Sequence, residues 1–452
     1  MDTREGETRG PDLREETPVS WSRRVWGISG PVILSNLSIP LLGAVDTAVM
    51  GHMPGPAYVG AVAVGALIFN VFYWIFGFLR MGTTGFAAQA HGAEDAVERA
   101  AVIWRAALVG ACLGLGLIVL QVPLGLAAFA VIDPSAEVTA LGERYYDLRI
   151  WGAPATLITF AISGWLLGIN RAGHVLAVQL TLNGLNIALN LYFVLGLGMT
   201  VEGVALGTVI AEYTAVTLGL VLVWRRLRPQ QVTVSRHRLF ARARLLALFR
   251  VNRDIMIRTA CLQTAFVLFT AIGARMGDVT LAANAILINL LQFTSYGLDG
   301  FAHAAEALAG QAFGARRRSA FRQAAWVSGL WAAAAAVAIA LVFWLAGEMI
   351  LSLYTDQQEV LAQAITYMPW MVAMPLVAVA SYQLDGVFIG ATRTVAMRNA
   401  MIASLLIYLS VLAVAVPLWG NHGLWFSMAS LMLARAATLA VRWPALERTV
   451  EG

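Results

Sequence analysis

Charge is scarce in this chain. Of its 452 residues 13% are charged and 59% hydrophobic, with a mean hydropathy of +0.72, whereas an ordinary soluble domain is about 25% charged. A soluble fold would have to hide many apolar runs of about 18 residues or more, so the composition argues for a multi-spanning membrane protein. Lysine is absent altogether, and all 31 basic residues are arginine, as codon usage in a GC-rich genome produces. Cysteine is reduced to Cys112 and Cys261, each inside an apolar run and in opposite halves. They read as small buried hydrophobes, with no disulfide or metal motif. The first twenty residues lack an apolar stretch, so no cleavable signal is expected.

A net charge of +5 and a pI near 9.5 would suggest a nucleic-acid partner in a soluble chain. Here the arginines fall mainly in the gaps between apolar runs, which makes them topology markers, and no nucleic-acid partner is expected. Twelve runs emerge, at 29–51, 58–80, 102–130, 144–168, 175–198 and 201–224, then 254–274, 281–310, 324–346, 361–390, 395–417 and 422–443. Turn-like stretches separate them, among them IDPSAE at 132–137 and WGNHG at 419–423. The connections after even-numbered spans carry Arg99, Arg171, Arg316 to Arg318, Arg393 and Arg398. The positive-inside rule then puts both termini in the cytoplasm of a multi-pass inner (plasma) membrane protein.

The expected organisation is a disordered cytoplasmic tail at 1–20, a six-helix bundle at 21–224 and a basic cytoplasmic linker at 225–253. A second six-helix bundle at 254–443 and a cytoplasmic tail at 444–452 follow. Trp21 to Trp26, with two arginines between the tryptophans, reads as an interfacial anchor. From Arg238 the linker has the pattern of a basic amphipathic helix lying on the anionic cytoplasmic leaflet.

Sliding the chain by 222 residues superposes its halves: Gly51 meets Gly273, Gln89 meets Gln311, Gly92 meets Gly314 and Trp104 meets Trp326. Gly164, Gly168 and Arg171 meet Gly386, Gly390 and Arg393. Each copy holds six spans, an even number, so both enter the membrane in the same sense. The fold class is therefore an all-α polytopic membrane protein of twelve transmembrane helices. Its two bundles form a parallel internal repeat with a pseudo-twofold axis along the membrane normal. Charges break the symmetry: Asp46 faces Leu268, while Asp254, Arg258, Asp299, Glu306 and Asp385 face uncharged residues.

Asp46 lies deep in the first span, which also carries Pro31 and Pro40. An acid at the centre of a membrane helix costs about 2.5–3.5 kcal/mol, so it should face an interior cavity rather than lipid. The prolines remove backbone donors and allow the helix to bend. Such an acid, whose access to water changes with helix shape, is a natural coupling group. In the fifth span Asn183, Asn186 and Asn190 either bind helices together or line a wet cavity. The eighth places Asp299, His303 and Glu306 on one face, as a proton or cation pathway or as a structural cluster; one helix supplies too few ligands for a metal site. Asp254 and Arg258 are spaced for an i,i+4 ion pair. Asp385 is buried by its position in the tenth span, and Phe69, Tyr73 and Trp74 are candidates for an aromatic substrate wall.

The stretches PVILSNLSIPLLGAVDTAVMGH, GQAFGA, NRDIMIRT and LDGVFIGATRTVAMRN occur in the order found in the multidrug and toxic-compound extrusion (MATE) family. The chain from about Trp21 to Trp443 resembles the DinF-like branch of that family. The resemblance implies export of varied, often cationic or amphipathic compounds in exchange for H⁺ or Na⁺. It implies proton coupling at Asp46, bending at Pro31, and a site completed by Asn186, Asn190 and Thr208. Relatives often carry an acid where Asn190 stands, which leaves Asp46 as the sole titrating group of the first bundle. Sodium-type members use second-bundle acids, for which Asp299, Glu306 and Asp385 are the candidates.

The sequence is thus expected to encode a secondary-active exporter, with H⁺ favoured over Na⁺, working as a monomer by alternating access. Its partners would be a small-molecule substrate, a coupling cation and the lipid bilayer, with no cofactor. An organic-acid exporter or a lipid-linked-precursor flippase on the same scaffold is the alternative, though no intramembrane arginine cluster stands out. A membrane-embedded transferase would need clustered acids for Mg²⁺-diphosphate, and no such run is present, so an enzyme is not expected.

Overall fold

The computed structural model describes residues 18–51 and 55–450. Most of the tail expected at 1–20 lies outside the described residues, as do positions 52–54 and 451–452. All regular structure among them is helical, as expected where lipid leaves backbone polar groups no partner outside their own segment. The helices are α1 (Pro18–Met50), α2 (Pro56–Gly92, broken at Gly77), α3 (Ala96–Val119, continued by Gln121–Ile132) and α4 (Ala136–Gly168, with a 3-10 turn at Ile150–Gly152). Next come α5 (Ala172–Gly196), α6 (Val201–Gln230), α7 (Arg236–Ala274) and α8 (Asp278–Gly314). The last four are α9 (Arg318–Ser352), α10 (Gln358–Gly390), α11 (Thr394–Trp419) and α12 (Asn421–Arg448). Eleven of these, α2 to α12, are long and apolar enough to cross a membrane; α1, carrying the apolar run 29–51, completes the twelve.

The turn chemistry is visible where the sequence predicts it. Asp133 takes the left-handed conformation that ends one helix, and Ser135 accepts the Val138 N–H at 3.4 Å to start the next. The basic connection is ordered rather than free. The Arg105 guanidinium of α3 holds the backbone carbonyls of Arg238 and Leu239 at 2.9 and 3.1 Å. Glu98 in turn fixes Arg105 at 2.7 Å. From Arg242 the chain is helical without interruption to Ala274, so the expected surface helix is the foot of α7 itself.

Contacts group the chain into two compact units. The described residues of one fall within Met1–Gly30, Ala88–Asp95 and Arg253–Gly452; the other comprises Pro31–Ala87 and Ala96–Asn252. In the first, Phe269, Leu287, Met371, Tyr408 and Trp425 form the buried centre, with the Phe269 and Trp425 rings 4.7 Å apart. Asn284 and Asn421 exchange hydrogen bonds at 2.7 and 2.9 Å across α8 and α12. In the second, Phe69 stacks on Tyr146 at 5.5 Å, and the indole of the fully buried Trp165 donates to the Arg99 carbonyl at 2.8 Å.

The repeat survives to backbone detail. Asn170 and Thr392 share positive φ values of 60° and 53°, and Glu94 and Arg316 share 57° and 54°, each pair at the repeat offset. A Cβ built on Gly164 would strike the Arg80 carbonyl, and one on Gly386 the equivalent Ala302 carbonyl. The ends of α2 and α8 meet reciprocally, Gly92 against the Gln311 carbonyl and Gly314 against that of Gln89. Gly92→Ala is therefore expected to cost about 1–3 kcal/mol through overpacking against backbone that has no room to yield. Thermal unfolding in detergent measures it, and an unchanged melting temperature would contradict the close approach.

Candidate ion-coupling site

Three helices of one unit build the site around Asp46. On α5 the polar residues Gln179, Asn183, Asn186 and Asn190 recur at helical spacing and so share a face. On α1, Ser38 and Asp46 are eight residues apart and also share one. The Asn183 amide donates to Ser38 Oγ at 2.7 Å, and the Asn190 amide donates to Asp46 Oδ1 at 2.9 Å, so α5 holds α1 at two levels. Asn190 Nδ2 also donates to Asn186 Oδ1 at 2.8 Å, and Asn186 Nδ2 donates to Thr208 Oγ1 at 2.9 Å. The Thr208 hydroxyl donates to the Val204 carbonyl at 2.8 Å. Both N–H groups of Asn190 are committed, and Asp46 stands at the accepting end of the chain.

Asn190 is fully buried, and its Oδ1 has no donor among the described residues. It presses against Gly207 of α6, where any Cβ would collide with it. The helix changes to a π turn over Leu191–Gly196, directly after Asn190; such turns cluster at functional sites. Among the described residues Asp46 has no cationic partner.

A second constellation of the same unit escaped the sequence reading. Arg149, at the end of the first segment of α4, and Glu212 on α6 are both buried and paired twice, at 2.7 and 2.8 Å. Thr156 donates its hydroxyl to Glu212 at 2.7 Å. Arg149 also donates to the Tyr73 hydroxyl at 3.4 Å and lies over the Phe69 and Tyr73 rings at 5.1 and 5.6 Å. Phe69 and Tyr73 thus face an internal guanidinium, while Trp74 is exposed. A lone charge within an apolar run singles out Asp46 but not these two, since Arg149 shares its run with Arg144 and Asp147, and Glu212 shares its run with Glu202. The first half thus holds a buried acid, Glu212, besides the half-buried Asp46.

In the other unit Asp385 accepts from Arg258 at 2.9 Å and from Arg435, all three buried. The Asp254–Arg258 pair expected on α7 does not form: Asp254 takes Arg398 at 2.9 Å and Arg253 at 3.1 Å. Asp299, His303 and Glu306 lie along α8, with Glu306 buried and Asp299 within electrostatic reach of Arg435. Among the described residues no three His, Cys, Asp or Glu side chains converge as a metal site would need. Pro31 and Pro40 are both inside α1.

The MatE family pattern matches residues 31–192 and 255–414, once in each copy of the repeat. The chain belongs to the MatE family. It is 39% identical to DNA damage-inducible protein F of Escherichia coli (strain K12), over 94% of this chain and 92% of that one. It is 27% identical to the probable multidrug resistance protein NorM of Pseudomonas aeruginosa, over 92% and 88% of the two chains. In structure it superposes on an outward-facing multidrug resistance MATE family transporter of the MOP superfamily with a TM-score of 0.87 at 18% identity, covering 98% of this chain and all of the other. This MatE member is a multi-pass membrane transporter of the DinF-like branch, not an enzyme.

Proposed function

We propose that this protein exports small organic compounds, often cationic or amphipathic, in exchange for inward-moving H⁺, with Asp46 as the coupling group. The supporting observation is the contrast in how its acids are neutralised. Glu212, Asp254 and Asp385 are each held by arginine, whereas Asp46 receives only an amide. A carboxylate without a fixed counter-charge is free to change its protonation as its access to water changes. A proton suits the site better than Na⁺, because Asn190 turns an amide N–H, not its oxygen, toward the carboxylate; a hard cation needs oxygen ligands.

Protonation of Asp46 from outside weakens substrate binding and bends α1 at Pro31 and Pro40; release to the cytoplasm resets it. Coupling of this kind requires that the substrate bind the two conformations with different affinity. Both termini are cytoplasmic, and the transporter acts as a monomer in the inner membrane. The buried arginines do not favour a lipid-linked-precursor flippase or an organic-acid exporter, since Arg149, Arg258 and Arg435 are compensated by Glu212 and Asp385, with Asp299 nearby. Proteoliposomes loaded with a fluorescent organic cation provide the test. A pH gradient is expected to drive efflux and a Na⁺ gradient at equal pH is not; efflux that follows Na⁺ alone would overturn the assignment.

A further inference from the structure

At the 222-residue offset the Arg149–Glu212 pair has no charged counterpart, Met371 and Ala434 standing there instead. It is nevertheless a carefully accommodated feature. The 3-10 turn Ile150–Gly152 interrupts α4 beside it, and Gly152 leaves the space that the Glu212 carboxylate fills, since a Cβ there would strike it. The carboxylate takes donors on both oxygens, from Arg149 and Thr156. A buried pair of this kind contributes little net stability against a well-packed apolar pair, so its retention calls for another reason.

Its position supplies one. Thr208, the end of the hydrogen-bonded chain from Asp46, is one helical turn before Glu212 on the same face of α6. Tyr145, buried on α4 one turn before Arg149, is within electrostatic reach of Asp46, Arg149 and Glu212 together. We propose that Glu212 shields Asp46 from the Arg149 guanidinium, so that Asp46 exchanges its proton without the field of an uncompensated cation. The inference rests on Asp46 being the proton-exchanging group.

The surrounding groups are few. Tyr73 faces the pair from α2, Tyr145 and Tyr146 from α4, and Tyr213 neighbours Glu212 on α6. The second segment of α4 adds the Thr156 hydroxyl, and α5 offers Asp46 only amides. Glu143, Arg144 and Asp147 of α4 are exposed on its other side.

Glu212→Gln is close in shape and leaves Arg149 charged, since a guanidinium does not deprotonate in proteins. The uncompensated cation then favours ionised Asp46. Its protonation midpoint is expected to fall by up to about one pH unit, the effect of a unit charge a helix diameter or more away at an effective dielectric of about 20. Neutralising both partners, in Glu212→Gln with Arg149→Gln, should bring the midpoint back toward the wild type. A purely structural pair would instead leave the midpoint in place or damage the double variant further.

The readout is the infrared C=O band of the protonated carboxyl, assigned by its loss in Asp46→Asn and titrated in detergent, so it does not depend on transport. An acid shift in the single variant, reversed in the double, supports the proposal. A midpoint unmoved in Glu212→Gln overturns it. Absence of any band lost in Asp46→Asn would overturn the Asp46 assignment itself, a separate failure.

Discussion

Asp46→Asn should fold, reach the membrane at wild-type levels and still bind substrate, yet lose pH-driven export down to the passive leak. Asparagine keeps the shape of the side chain, and its Oδ1 can accept the Asn190 amide that now reaches Asp46 at 2.9 Å. What disappears is the ability to carry or release a proton, and with it the difference in free energy between the two access states. Efflux from proteoliposomes under an imposed pH gradient, compared with substrate affinity in detergent, separates the two effects. Full proton-driven export by the variant would remove Asp46 from the mechanism, wherever the substrate binds.

Removing the carboxylate of Asp385 should have the largest effect on stability. Two buried guanidinium groups, Arg258 and Arg435, share that single side chain. Asp385→Ala removes the carboxylate that both buried cations share, and breaking a buried pair in this way costs about 3–5 kcal/mol. The expected result is a sharply lowered melting temperature in detergent and poor recovery of folded protein. A variant that melts with the wild type would show that the guanidinium groups find other partners at no cost.

These two acids differ in how readable they are. Asp46 could be picked out as a charge inside a span, and Asn186, Asn190 and Thr208 were legible with it because helical spacing and the family resemblance pointed to the same faces. Asp385 was legible as buried but not its partners. The local spacing of Asp254 and Arg258 suggested an i,i+4 pair, which is worth only about 0.2–0.5 kcal/mol. Leaving Asp385 buried without a cation costs several kcal/mol, so Arg258 reaches across to α10 and Asp254 takes Arg398 of α11 instead. Arg149 and Glu212 share their spans with other charges, Arg144 and Asp147 in one and Glu202 in the other, so neither stood out, and their meaning lay in a partner 63 residues away.

The amino-acid sequence by itself determined the twelve helices, their order and the doubling of the fold. Hydropathy and turn residues act locally, and a backbone in lipid must satisfy its own hydrogen bonds. Only the tertiary structure decided which charges are silenced and which are left open. Neutralisation of a buried charge is a contest between helices, settled by the three-dimensional neighbour that can reach it.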